Sequence, residues 1–245
     1  MSENRLLIDL GNTRAKWLWA QGRTIDADSV GRGDMAAFAA ACRKPSAPRP
    51  DAVLVSSVAS PATTREVREV CRSCWGVEAR LLRARARQGD VVSGYAEPAR
   101  LGVDRWLAIV GAVERYGKPL VVWDLGTATT LDAVDAAGRH LGGWILPGPS
   151  TMLDSLRSGT QLPVPADLSE AGNLQLGTST AECIARGVLA AQTGALARLM
   201  QEISSRAEAK PVLVVTGGAA ATLLPLIEVE HIHDPWLVFR GMLVD

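Results

Sequence analysis

Lysine is scarce in this chain: Lys16, Lys44, Lys118 and Lys210 stand against 22 arginines. The 26 basic residues are nevertheless matched by 26 acidic ones, so no excess of one sign draws the protein onto nucleic acid or an anionic membrane. No apolar run approaches the ~18 residues that a membrane span needs. The short polar start, Met1 to Arg5, has neither the basic flank nor the apolar stretch of a secretory signal. The expected compartment is the cytoplasm, with no membrane and no nucleic acid among the partners. Four cysteines are too few and too scattered for a disulfide framework. Cys71 and Cys74 form one C-x-x-C pair, but a closed zinc site wants four ligands. The run before them, Arg65 to Val70, reads as helix, so the pair is expected on a helix face. His140, His231 and His233 show no metal-ligand spacing.

Against these absences stand 245 residues with 47% hydrophobic and 21% charged side chains, a globular composition. That length fits one large domain or two of about 100–150 residues. The chain repeats itself. Residues 6–16 read Leu-Leu-Ile-Asp-Leu-Gly-Asn-Thr-Arg-Ala-Lys, and residues 121–131 read Val-Val-Trp-Asp-Leu-Gly-Thr-Ala-Thr-Thr-Leu. Each predicts a buried strand, a tight turn at glycine and a returning strand. A second echo pairs Ala52–Ala59 with Val212–Ala219, β-branched runs ending in small residues. Two echoes in one order predict two similar halves, 1–117 and 118–245, divided near Gly117-Lys118-Pro119.

Helical spacing of apolar residues predicts helices over 34–43, 63–74, 103–116 and 181–207, the last opened by a Ser179-Thr180-Ala181-Glu182 capping box. The Pro-rich 44–50 is a surface connector. The Gly- and Pro-rich 142–168 is expected to be largely loop, with a short helix around 151–157. Strands alternating with helices give α/β layers.

A glycine just after a strand lets the backbone approach a ligand, and successive N–H groups in such a turn cradle an anion. Thr13, Thr127, Thr129 and Thr130 add hydroxyls suited to phosphate oxygens. Asp9 and Asp124 end their strands where a carboxylate could hold a cation beside them. Phosphoryl transfer needs this combination, because the transferred group carries charge that must be neutralised. Lys16 adds a point charge. The bland alternative is two hairpin turns that use Gly and Asn for their geometry alone. Gly217-Gly218 divides evenly between turn chemistry and a wall for a nucleotide. Arg80, Arg83, Arg85 and Arg87 read as a solvated basic face.

Asp9 to Lys16, Leu101-Gly-Val-Asp-Arg105, Asp124 to Thr130, Gly142-Gly143, Pro147-Gly148, Gly217-Gly218 and Asp234 to Gly241 occur in an order that resembles the type III pantothenate kinases. These belong to the acetate- and sugar-kinase, heat-shock ATPase and actin superfamily. The resemblance implies an α/β fold of two ribonuclease-H-like (actin-like ATPase) halves around a nucleotide cleft, with the twin turns facing one another. It also implies transfer of the ATP γ-phosphoryl group to pantothenate. By the same resemblance, Asp9, Leu10, Gly11, Asn12, Thr13, Arg14, Ala15, Lys16 and Thr127 contact ATP, which arrives with Mg2+. Asp124 holds a monovalent cation, K+ or NH4+. Tyr95, Gly102, Val103, Asp104 and Arg105 bind pantothenate, with Asp104 as catalytic base. Thr180 reaches the substrate of a neighbouring subunit, which implies a homodimer. The alanine of the familiar Gly-Ala-Asp-Arg form is Val103 here, a change that leaves the chemical residues intact.

An aspartate of ordinary pKa, about 3.9, is ionised in the cytoplasm and is a weak base towards an alcohol. Phosphoryl transfer tolerates a weak base because its loose transition state develops little charge on the nucleophile. Without the resemblance, the preferred reading of Asp104 is a plain helix N-cap. The alternatives to pantothenate phosphorylation are another small-molecule phosphotransferase of the superfamily or a non-catalytic nucleotide-gated interaction protein.

Overall fold

The structure, a computed structural model, describes residues 3–44, 47–168, 171–204 and 210–245. It forms two compact units, one of residues 1–115 with 236–245 and one of 116–235. The expected halves, 1–117 and 118–245, differ from these at residues 116–117 and in the last ten residues, which pack with the first unit.

The first unit runs β1 (Asn4–Leu10), β2 (Ala15–Gln21), β3 (Thr24–Gly33), α1 (Met35–Cys42), β4 (Ala52–Ser57), α2 (Pro61–Trp75), β5 (Ala79–Leu81), a small hairpin of β6 (Arg87–Gln88) and β7 (Val91–Val92), and α3 (Val103–Tyr116). The second runs β8 (Leu120–Leu125), β9 (Ala128–Val134), β10 (His140–Pro147), α4 (Pro149–Gly159), α5 (Thr180–Ser204), β11 (Val212–Thr216), α6 (Ala220–Leu223) and β12 (His231–His233). The C-terminal α7 (Leu237–Met242) returns to the first unit.

The two sheets have the same plan. The first has strand order β3-β2-β1-β4-β5 and the second β10-β9-β8-β11-β12. In each, three antiparallel strands continue into two parallel ones. Both sequence echoes therefore occupy equivalent places: β1 and β8 at the centre, β4 and β11 beside them. This is the α/β, actin-like arrangement of ribonuclease-H-like halves.

Local chemistry sets the element ends. Asp34 caps α1 by accepting from Ala37 N at 2.8 Å. Ser60 caps α2 ahead of Pro61, and Gly76 ends it at φ +67°, a backbone conformation natural to glycine. Cys71 and Cys74 lie on α2 as free thiols, and burial pushes the Cys71 thiol up to about 12, so it is inert. Ser179 caps α5 through its hydroxyl, which accepts from Glu182 N at 3.3 Å. The Glu182 carboxylate reaches past the cap to the N–H and hydroxyl of Thr178, and these bonds hold its pKa below the usual value. The described helix ends at Ser204, so residues 205–207 of the expected one lie outside the described residues.

One expectation needs correction. Residues 142–147, read as loop, belong to β10, an edge strand that tolerates glycine and proline. Gly143 is required there: a Cβ would lie 2.1 Å from the Leu131 carbonyl and 2.5 Å from Asp132 Oδ1. The helix that follows is also longer than expected, spanning Pro149–Gly159.

Candidate active site

In the first unit, Asp9 sits one residue before the end of β1, opposite Lys16 on β2 and Ser56 on β4. The fully buried Ser56 hydroxyl donates to Asp9 Oδ1 at 3.0 Å. Burial nevertheless raises the Asp9 pKa to about 6. The Ser56 hydrogen bond and the Lys16 charge pull it down, and the negative charge of Asp104 pushes it up. Asp9 and Asp104 thus share one electrostatic environment within this unit.

The turn after Asp9 is tighter than an open anion cradle. The Gly11 N–H donates to the Arg14 carbonyl at 3.1 Å, which closes the hairpin and engages the first N–H of the turn. Gly11 has no positive φ, and a Cβ there would meet only the Arg14 oxygen, at 3.4 Å. Leu10 and Ala15 are buried, so Asn12, Thr13 and Arg14 are the residues the turn presents to solvent.

Asp104 is the second residue of α3. The first helical bond runs from Trp106 N to the Gly102 carbonyl at 2.9 Å, so Gly102 holds the N-cap position and Asp104 does not. The Asp104 carboxylate accepts from Arg105 N at 2.8 Å, where the positive end of the helix favours an anion. Glycine at 102 leaves room for that carboxylate, since a Cβ would lie 2.7 Å from Asp104 Oδ1. The buried Arg105 donates to the Tyr95 hydroxyl at 3.1 Å, with its guanidinium 5.9 Å from the Tyr95 ring centre. Tyr95 is thus brought against the contiguous Gly102–Arg105 segment, and the five residues form one cluster.

Behind this cluster stands a residue that motif reading passed over. The buried Gln88 accepts from Trp106 Nε1 at 2.8 Å and donates to the carbonyls of Gly241 and Val244 at 3.3 and 2.8 Å. It ties α3 to the C-terminal segment. Gly111 and Gly241 bring α3 and α7 into backbone contact: a Cβ at Gly241 would lie 2.0 Å from the Leu107 carbonyl.

In the second unit, Asp124 occupies on β8 the register that Asp9 has on β1. Thr130 stands opposite on β9, and Thr216 on β11 takes the place of Ser56. The Gly126 N–H closes this shorter turn on the Ala128 carbonyl at 3.2 Å. The Thr127 carbonyl accepts from Gly148 N at 2.9 Å and from the Thr151 hydroxyl at 2.6 Å, so α4 clamps the turn and leaves the Thr127 side chain exposed. Gly217 is structurally demanded: its φ is +96°, and a Cβ would lie 2.4 Å from Leu125 N and 2.6 Å from Asp124 Oδ1. Thr129 is fully buried and faces the core. Thr180 opens α5 and is exposed.

Among the described residues, no three His, Cys, Asp or Glu side chains gather to hold a metal. Asp124, flanked by threonines on both neighbouring strands, is a hard-oxygen set. It suits a weakly held alkali cation rather than a caged transition metal. Among the described residues, no helix is long and apolar enough to cross a membrane.

Of the residues missed in sequence, Ser56 and Thr216 had a signal: both stand in the same place of the second echo. Gln88 and Thr151 had none, because their partners are distant backbone groups.

The sequence profile described as type III pantothenate kinase matches residues 5–202. A type III pantothenate kinase of Halorhodospira halophila is 37% identical, covering 98% of this chain and 96% of that protein. One of Methylibium petroleiphilum is 35% identical, covering 97% and 96%. Among solved structures, a Campylobacter jejuni protein assigned to the Baf family of transcriptional activators superposes with a TM-score of 0.58 at 22% identity, covering 97% of this chain and 94% of that one. MreB5 of Spiroplasma citri, bound to AMPPNP, gives 0.51 at 11% identity, covering 98% and 95%. These two structures carry the fold alone. The profile and the full-length relatives carry the family: the chain belongs to the type III pantothenate kinases.

Proposed function

We propose that this chain transfers the γ-phosphoryl group of ATP to the primary hydroxyl of pantothenate, giving 4′-phosphopantothenate and ADP, the first step towards coenzyme A. The observation that carries the reading is the cluster in the first unit. Two interacting aspartates, Asp9 and Asp104, lie with an arginine whose guanidinium is fixed by Tyr95.

Each residue has a role suited to its surroundings. Asp104, at the start of α3, accepts the proton of the attacking hydroxyl. Arg105 is buried and oriented, so it grips the pantothenate carboxylate with little further loss of freedom. Asn12, Thr13, Arg14 and Lys16 meet the phosphates, and Asp9 faces the Mg2+ that accompanies ATP. Asp124 holds K+ or NH4+, and Thr127 contacts ATP. These cations supply positive charge against the phosphate oxygens. Thr180, exposed at the first turn of α5, serves the site of a second copy in a homodimer. The protein works in the cytoplasm.

The test is ADP release from the purified chain supplied with pantothenate, acetate, glucose or water alone, each with K+, NH4+ or Na+ as the only monovalent cation. Release that depends on pantothenate and requires K+ or NH4+ is expected. Equal release with acetate or glucose would move the assignment to another phosphotransferase. ATP binding with no release under any condition would make the protein a nucleotide-gated binder. Full turnover in Na+ alone would remove the cation role from Asp124.

A further inference from the structure

The sheet of the first unit has two faces. Asp9 and Lys16 lie on one. Leu6, Trp17 and Trp19 alternate with them and face the helices on the other. On that second face is a cavity of about 420 Å3, walled by Trp17, Trp19 and Trp75 on one side and by Ala37, Ala40 and Ala41 of α1 on the other. The tryptophans are held in place. Trp19 and Trp75 meet edge to face at 6.1 Å, Trp17 does the same with Phe38 at 5.2 Å, and the Trp17 ring lies directly against the Gly31 backbone. The cavity opens to solvent on the α1 side, where Ala37 and Ala40 are exposed. Here α1 offers only three alanines and Cys42 to it.

The cavity does not stand alone. A second recess of about 580 Å3 shares Cys42, Lys44, Ala47 and Trp75 with it and adds Arg43, Ser73 and Cys74. An aromatic chamber thus opens beside a recess carrying two cations, and among the described residues neither Arg43 nor Lys44 has an acidic partner within salt-bridge distance. The Cys42 thiol at the junction is pushed up to about 12 by burial and stays neutral, so it adds no negative charge. Ligand pockets commonly combine an apolar wall with a few polar groups at this size.

We propose that this paired cavity binds an amphipathic anion, an apolar acyl or aryl body in the tryptophan chamber with its anionic head beside Arg43 and Lys44. The site lies on the opposite sheet face from Asp9, so its ligand does not compete with ATP.

The test is a fluorescence titration of the full chain with 8-anilinonaphthalene-1-sulfonate, an aryl anion. One saturable site per chain is expected, undisturbed by ATP and pantothenate. Ala40→Leu fills the chamber and should weaken binding at least tenfold without lowering Tm. Lys44→Glu should weaken it at least threefold. Both variants should keep wild-type ADP release with pantothenate, which separates this proposal from the kinase reading. Displacement by decanoate but not by decanol identifies acyl acids as ligands, and displacement by 1-naphthoate alone identifies aryl acids. Binding that never saturates, displacement by ATP, or wild-type affinity in both variants overturns the proposal.

Discussion

Ser56 donates a hydrogen bond to Asp9 across the parallel β1–β4 pair, and Thr216 stands at the same register beside Asp124 in the second unit. Duplicated strands have thus kept a hydroxyl next to each aspartate. In the first unit that hydroxyl partly offsets a burial which raises Asp9 to about 6. The cation proposed for Asp9 would bind its ionised carboxylate, so below pH 6 binding must first expel a proton. Mg-ATP affinity is expected to fall towards tenfold per pH unit below that point and to level off above it, as read by calorimetry from pH 5 to 8. Ser56→Ala removes a contact that lowers the pKa and should move the break to higher pH. A flat profile would free Asp9 from cation binding.

The same raised pKa has a stability consequence. Below the unfolded pKa near 3.8 both states are protonated. Between that value and about 6 the folded state holds the extra proton, so stability falls as pH rises through this window and is flat above it. Ionised Asp9 then costs up to about 3 kcal/mol. Asp9→Asn should raise Tm at pH 8 while abolishing turnover, and calorimetric melting of the nucleotide-free protein checks both the sign and the pH window.

Asp104→Asn keeps the shape of the α3 N-terminus but removes the proposed proton acceptor. The expected loss is about 10^2–10^4 in kcat with little change in the KM for ATP. Because Asp104 raises Asp9, the variant should also shift the affinity break to lower pH, a second signature independent of turnover. Near-normal kcat would take Asp104 out of the chemistry.

Two glycines that look alike in sequence separate in the structure. Gly217 has positive φ and no room for a Cβ, so Gly217→Ala should destabilise the fold by about 2 kcal/mol or more. At Gly11 neither the backbone angle nor crowding demands glycine. Gly11→Ala should leave Tm nearly unchanged and raise the KM for ATP about tenfold by obstructing the approach to the turn. Thermal melts and ATP titrations of the two variants distinguish a structural glycine from a ligand-facing one.

What was legible in the sequence follows from how local each signal is. The paired Asp-Leu-Gly turns and the two strand echoes disclosed the duplicated sheets, because buried strands and tight turns leave short, regular patterns. The helices over α1, α2, α3 and α5 were readable for the same reason. β10 was not: Gly142, Gly143 and Pro147 resemble a loop until the Asp132 side chain and the edge position explain them. Asp104 read as an N-cap because a helix start shows its acidic residues but not which carbonyl accepts the first bond. The return of residues 236–245 to the first unit depends on backbone contacts distant in sequence, which no local pattern records.

That return gives Gln88 its importance. Its amide satisfies Trp106 Nε1 and two carbonyls of the C-terminal segment, all within the first unit. Gln88→Leu would strand the buried Trp106 Nε1 and Val244 carbonyl, at about 1–3 kcal/mol each, while the Gly241 carbonyl keeps its bond from Val244 N. Tm should fall by several degrees. Trp106 lies one and two residues beyond Arg105 and Asp104, so loosening its indole should also misplace the cluster proposed to bind pantothenate while sparing the Asp9 turn. The expected kinetic mark is a raised KM for pantothenate and a lowered kcat, with the KM for ATP unchanged. Equal losses for both substrates, measured well below the lowered Tm, would show that Gln88 supports the fold generally and does not position α3.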